Sequence, residues 1–176
     1  LRGDLGVSMQ DRTPVAEQVA LRLPRTLELI AAAALIATVL GVPLGVWSAV
    51  RTGGLVDKLV SGFASLALST PVFVIGTLAI LLFAQTLRIA PAGGYAPLAE
   101  DPVRHLGLLL MPAFTVSASL WAVVIRMTRT TVLEVLEKDF VRAARAKGVA
   151  PRRILRAHAL RNALVPVVTV TGLQLG

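Results

Sequence analysis

Read along the chain, the apolar positions fall into four runs without a charged residue: 29–50, 59–87, 106–125, and 162 to the end. A hydrocarbon core about 30 Å thick needs roughly 20 apolar helical residues, because each residue rises about 1.5 Å. The first three runs are long enough to cross, and the fourth reaches that length if its pattern continues past residue 176. The pattern predicts an all-α, polytopic transmembrane helical bundle with at least four spans in residues 26–176, preceded by a polar segment, 1–25. The run 59–87 exceeds one crossing and is expected to tilt, kink or project. Pro71 is the predicted kink, since proline removes a backbone hydrogen bond and its ring crowds the preceding turn. Pro43 and Pro112 lie inside apolar runs, where a bend is the simple expectation.

Composition strengthens the membrane assignment. Charged residues make up 16% of the 176-residue chain and hydrophobic ones 55%, with a mean hydropathy of +0.74; a soluble domain carries about 25% charged residues because its surface must face water. Cysteine is absent, which removes disulfides, thiolate metal sites and cysteine nucleophiles, and two distant histidines make a poor metal cluster. The opening 25 residues are polar and do not read as a signal peptide. The chain begins without Met and stops inside an apolar run, so both ends are read as truncations with at least one further helix expected on each side.

Charge sets the orientation. Residues 126–161 hold ten of the 18 basic side chains, and basic connections are retained on the cytoplasmic side during insertion. The turn RTGGLVDK, with Arg51 and Lys58, then falls on that same side, whereas residues 1–25 and 88–105, whose basic and acidic residues nearly balance, lie outside. The net charge of +8 does not read as a nucleic-acid surface: the excess sits in one connection with a single aromatic, Phe140, and no stacking pattern. Anionic lipid head groups are the expected counter-charge.

A connection of more than 30 residues is longer than joining two helices requires. Phe140, Ala143, Ala144 and Lys147 recur at helical spacing, so a short helix is expected. Gly148 supplies a left-handed cap. Pro151 then opens a second helix that carries Arg152, Arg153, Arg156 and His158. Such an element suits a docking peg, with Phe140 filling a pocket, Ala143 and Ala144 allowing close approach, and Arg142, Arg145 and Lys147 ringing the contact. On spacing alone, an amphipathic helix lying on the lipid surface fits as well.

RAARAKG, followed by HALRNALVPVVTVTGLQ, resembles the cytoplasmic loop of ABC importer permeases of the oligopeptide, dipeptide and nickel branch. The general signature of that family is EAA, three residues, Gly, nine residues, then I-x-L-P. Ala143, Ala144 and Gly148 match it; Arg142 stands in place of the Glu, His158 of the Ile and Arg161 of the Pro, departures in keeping with the peptide branch. LRGDLGVS resembles the external segment after the first helix of this branch, RLPRTLELI the entry to the second helix, and STPVFVIG the third, so the likeness runs over nearly the whole chain.

The resemblance implies a type I importer permease in a bacterial or archaeal cytoplasmic membrane. Residues 140–148 would be its coupling helix, with Phe140, Arg142, Ala143, Ala144, Arg145, Lys147 and Gly148 docking an ATP-hydrolysing subunit. It also implies a homologous permease partner, two ATP-binding subunits that carry ATP and Mg, and an external solute-binding protein. No cofactor is expected in this chain, which has no G-x-x-x-x-G-K-[ST] loop to cradle phosphates. Cargo of this branch includes peptides, nickel chelates and glutathione.

Three further groups carry candidate chemistry. Glu28 borders the first run and is expected to pair with Arg25 at the outer boundary. Ser61, Ser65 and Ser69 share one face of the second run, and Thr115 and Ser119 one face of the third; they either line a polar path or permit close helix packing. His105 and His158 are expected to be surface or docking residues. An autonomous secondary carrier would need buried charges in its spans, and apart from Glu28 at their edge the runs have none.

Overall fold

The computed structural model describes residues 5–155 together with Leu160, Asn162, Val165, Thr169 and Gly172. Residues 5–14 form a tight polar loop closed by an isolated antiparallel bridge between Val7 and Pro14. The first helix, α1 (Val15–Val50), starts directly after Pro14, well ahead of the charge-free run, and continues through Pro24 and Pro43. Its 36 residues measure about 54 Å at 1.5 Å per residue, more than one bilayer crossing requires.

The expectation of one long second span gives way to a broken one. α2 (Leu55–Ser69) and α3 (Val72–Ala79), the latter continued by a π-helical segment Ile80–Thr86, meet at 103°. The break falls where proline chemistry requires it. Thr70 is extended, at φ −97 and ψ 124, because the ring of Pro71 excludes the helical region for the residue before it. Pro71 then caps the start of α3. A kink would have kept one helix; here two helical pieces share a corner.

α4 (Pro102–Glu137) is again 36 residues. Asp101 caps it by accepting from the Arg104 backbone N–H at 2.9 Å, with Pro102 at the first position, where its missing N–H leaves nothing unpaired. Among the described residues, two helices are long and apolar enough to cross a membrane, or three if the bent pair counts as one. The fourth apolar run lies outside the described residues apart from the single positions named above.

The bundle is built on α1 against α4. Ala33, Ala37, Gly41, Gly45 and Ala49 recur every fourth residue on α1, and all are buried. This seam of small side chains meets Ala118, Ala122 and Ile125 of α4, with Ala64 and Ala67 of α2 closing the cluster. Lipid tails are as apolar as Leu, so close backbone approach, rather than hydrophobicity alone, holds such helices together. The approach is tight: a Cβ on Gly45 would stand 2.7 Å from the Ile125 carbonyl oxygen, and one on Gly41 2.7 Å from Val124 Cγ1. Large apolar side chains such as Leu35, Leu59 and Phe73 point outward, as suits surfaces that face lipid or other helices.

Candidate functional site

The basic end of the bundle carries a compact knob. α4 runs on past the apolar run, so Arg126 and Arg129 belong to the helix and not to a loop, and it ends at Lys138, whose φ −62 and ψ 146 turn the chain sharply. α5 (Asp139–Ala146) follows at once, then α6 (Pro151–Ile154). Val141 is fully buried, and with Val132, Val135, Ile154 and Ala49 it forms a second small core against which Ala144 and Val149 pack. Burying a Val side chain contributes about 1.5–3 kcal/mol, so the knob is fixed to the ends of α1 and α4.

Gly148 closes α5 as its sequence position suggests. At φ +77, it donates its N–H to the Arg145 carbonyl at 3.0 Å, while Val149 donates to Ala144 at 3.1 Å. These two bonds are the Schellman arrangement, with Val149 folding back onto Ala144 as its hydrophobic partner. A Cβ at Gly148 would meet nothing within 4 Å, so backbone conformation, not space, calls for glycine there.

The predicted docking residues divide between two faces. Phe140, Arg142, Ala143, Arg145 and Lys147 are exposed; Ala144 is half-buried against the second core. The small-residue pair thus splits, Ala143 facing outward and Ala144 inward, and Val141, which the spacing did not single out, is the anchor. The Arg142–Asp139 contact at 3.6 Å is fully exposed and adds little stability. Arg156, His158 and Arg161 lie outside the described residues.

Beside the knob, the structure assembles a polar cluster that sequence reading missed. Asp57 is only 6% exposed and accepts from four side chains or backbone groups drawn from α1, the α1–α2 turn, α2 and α4. Arg129 grips it with Nε on Oδ1 at 2.7 Å and Nη2 on Oδ2 at 2.9 Å. Ser48 donates to Oδ1 at 2.5 Å, the Gly53 N–H to Oδ2 at 2.9 Å, and Ser61 to Oδ1 at 3.3 Å. Every partner is a donor, the set an ionised carboxylate needs when it leaves water.

Ser61 therefore belongs to this cluster. Ser65 is exposed and accepts from Arg126 Nη2 at 3.0 Å, and Ser69 is the exposed last residue of α2. Thr115 donates to the Met111 carbonyl of its own helix at 2.9 Å, and Ser119 is half-buried on α4.

At the opposite end two expectations are corrected. Glu28 pairs with His105, Oε1 to Nε2 at 2.6 Å, instead of with Arg25. His105 is buried, 3% exposed, not a surface residue, and its Nδ1 donates to the Ala96 carbonyl at 2.7 Å. Arg25 lies instead over the Tyr95 ring, 4.0 Å from its centroid, a cation–π contact. The pull of the ring and the loop 88–101 explains the exchange: that loop folds over the ends of α1 and α4 and brings its own acceptor to the histidine.

Comparison with known proteins agrees with this architecture. Residues 41–176 match the family described as binding-protein-dependent transport system inner membrane component. The chain is 38% identical to the dipeptide transport system permease protein DppB of Escherichia coli K12, the match covering 100% of this chain and 59% of that protein. It is also 38% identical to the di/tripeptide transport system permease protein DppB of Pseudomonas aeruginosa UCBPP-PA14, covering 99% of this chain and 58% of that one. The chain thus spans a little over half the length of the curated relatives it matches. With helices long and apolar enough to cross a membrane, a knob fixed beneath them and the family match over most of its length, this chain belongs to the binding-protein-dependent inner-membrane permease components.

Proposed function

We propose that the chain forms part of the permease subunit of an ATP-driven, binding-protein-dependent importer for di- or oligopeptides, resident as a multi-pass protein in a bacterial or archaeal cytoplasmic membrane. The observation that carries this is the knob. Val141 and Ala144 anchor α5 to the ends of α1 and α4, and its other face offers Phe140, Arg142, Ala143, Arg145 and Lys147 to a partner. An amphipathic helix resting on lipid needs no such tether; a coupling helix does, because force applied to it must reach the spans.

In this reading the basic end is cytoplasmic, and residues 1–25 and 88–101 face outward. Two ATP-binding subunits, which carry ATP and Mg, dock on residues 140–148. A homologous permease completes the translocation path, to which Ser65, Ser69, Thr115 and Ser119 contribute polar edges, and an external solute-binding protein delivers cargo. Closure of the ATPase pair shifts the permease between inward-open and outward-open states by differential contact. The dipeptide and di/tripeptide names of two relatives support peptide cargo; nickel chelates or glutathione are the alternatives within the same branch.

The test is copurification and transport with the full-length permease, its partner subunits and the binding protein in proteoliposomes. Ala143→Glu, on the exposed face, is expected to cut the ATPase recovered with the permease at least tenfold. Full recovery in that variant, or no ATPase with the parent protein, would overturn the docking assignment.

A further inference from the structure

Resting on the permease reading above, we propose that the Asp57–Arg129 cluster is a positioning joint that passes movement of the docked knob from α4 to α1 and α2. Arg129 and the end of α4 at Glu137 are separated by about 12 Å of uninterrupted helix at 1.5 Å per residue, and α5 begins immediately after the Lys138 turn. A displacement of α5 therefore reaches the guanidinium as a rigid-body shift of the helix that bears it.

What happens next depends on how α4 meets its neighbours. Along the α1–α4 seam the contacts are apolar, small on the α1 side at Ala33 and Ala37 and mixed with Leu120, Trp121 and Ile125 on α4, and apolar attraction has no direction. Apolar attraction by itself tolerates small shifts along such a seam. The two-point grip of Arg129 on Asp57 does not, since a guanidinium–carboxylate fork fixes both distance and orientation. The carboxylate is in turn tied to α1 through Ser48 and to the α1–α2 turn through the Gly53 N–H, where Gly53 adopts φ +78 and aims that N–H inward. One anion thus joins four segments at one point.

Stability alone is a weak reason for this arrangement. Taking a carboxylate and a guanidinium out of water costs several kcal/mol each, and a well-packed apolar group of the same volume often serves as well. Fixing the register between helices is what a directional pair adds. Arg129 also keeps about a quarter of its side chain accessible, 28%, whereas Asp57 is 6% exposed, so the buried carboxylate depends on holding its donors wherever α4 moves.

The experiment uses the complete transporter in proteoliposomes and reads cargo moved per ATP hydrolysed, a ratio that a purely structural role would leave alone. In Asp57→Asn and Arg129→Lys, copurified ATPase and ATP hydrolysis are expected to stay within twofold of the parent while cargo per ATP falls at least fivefold. A ratio within twofold of the parent in both variants overturns the joint. If Asp57→Asn does not accumulate, Ser48→Ala, which removes one donor, decides: a drop of twofold or more in the ratio supports the joint, and an unchanged ratio overturns it. Failure of Ser48→Ala to assemble also overturns it, because the cluster is then a folding requirement only. Absence of any ATPase with the parent transporter sinks the permease reading itself, a different outcome from coupled transport in the variants.

Discussion

Gly45 and Gly148 each exclude a side chain for a different physical reason, and the two reasons predict different damage. At Gly148 the obstacle is conformational: a β-branched residue at φ +77 pays roughly 1–2 kcal/mol for the left-handed region, yet its side chain would stand in open space. Gly148→Val is therefore expected to loosen the α5–α6 turn and lower ATPase copurification several-fold, while the permease still accumulates in the membrane. At Gly45 the obstacle is a neighbouring backbone atom, the Ile125 carbonyl at 2.7 Å from the added Cβ, which no rotamer change relieves. Gly45→Val must push α1 off α4, at a cost of about 1–3 kcal/mol typical of overpacking. Here the expected loss is in membrane accumulation and thermal stability in detergent. Normal levels and melting temperature for Gly45→Val would contradict the tight α1–α4 seam.

Elements show which features the sequence revealed and which it hid. The apolar runs, the helix–turn–helix after α4 and the glycine cap were legible because each depends on residues within a few positions of one another. Asp57 was not, since its principal partner stands 72 positions away and the stretch RTGGLVDK reads as an ordinary charged turn. His105 and Glu28 were misplaced for the same reason: Arg25 is Glu28's near neighbour in sequence, but its partner in the fold is the distant His105 of α4, to which the loop 88–101 supplies the Ala96 carbonyl. The break before Pro71 had a local signal, whereas its 103° angle reflects how α3 packs on α4, which hydropathy does not encode. In α5 the small-residue signature drew attention to Ala143 and Ala144, yet the buried anchor is Val141, chosen by Val132 and Val135 beneath it. Val141→Ala, which removes two methyl-sized groups from that core at about 0.8 kcal/mol each before any cavity cost, is expected to speed amide hydrogen exchange in 139–147 at least tenfold. Exchange within 33–45 should not change; equal protection of 139–147 in parent and variant would mean that α5 is held by something else.

At the scale of the molecule, the two long-range charged pairs among the described residues mark the ends of the bundle. His105 and Arg129 lie on the same helix, about 36 Å apart at 1.5 Å per residue; each joins α4 to a carboxylate on another helix, Glu28 on α1 or Asp57 on α2. Between them α4 carries a single charge, Arg126, near the Arg129 end. That spacing slightly exceeds a hydrocarbon core of about 30 Å, so the pairs fit at its two boundaries, with the small-residue seam between them at bilayer depth. In the proposed reading the Arg129 end, which continues into the basic knob, faces the cytoplasm, because basic connections stay inside. Single cysteines read this directly. Lys147→Cys on the exposed side of the knob and Leu98→Cys, 54% exposed in the loop at the other end, are introduced into a full-length permease otherwise free of cysteine and treated with a membrane-impermeant maleimide. Leu98→Cys is expected to label when only the outer face is accessible, and Lys147→Cys only after the membrane is opened. Labelling in the reverse order would invert the molecule and place the knob where no ATPase can reach it.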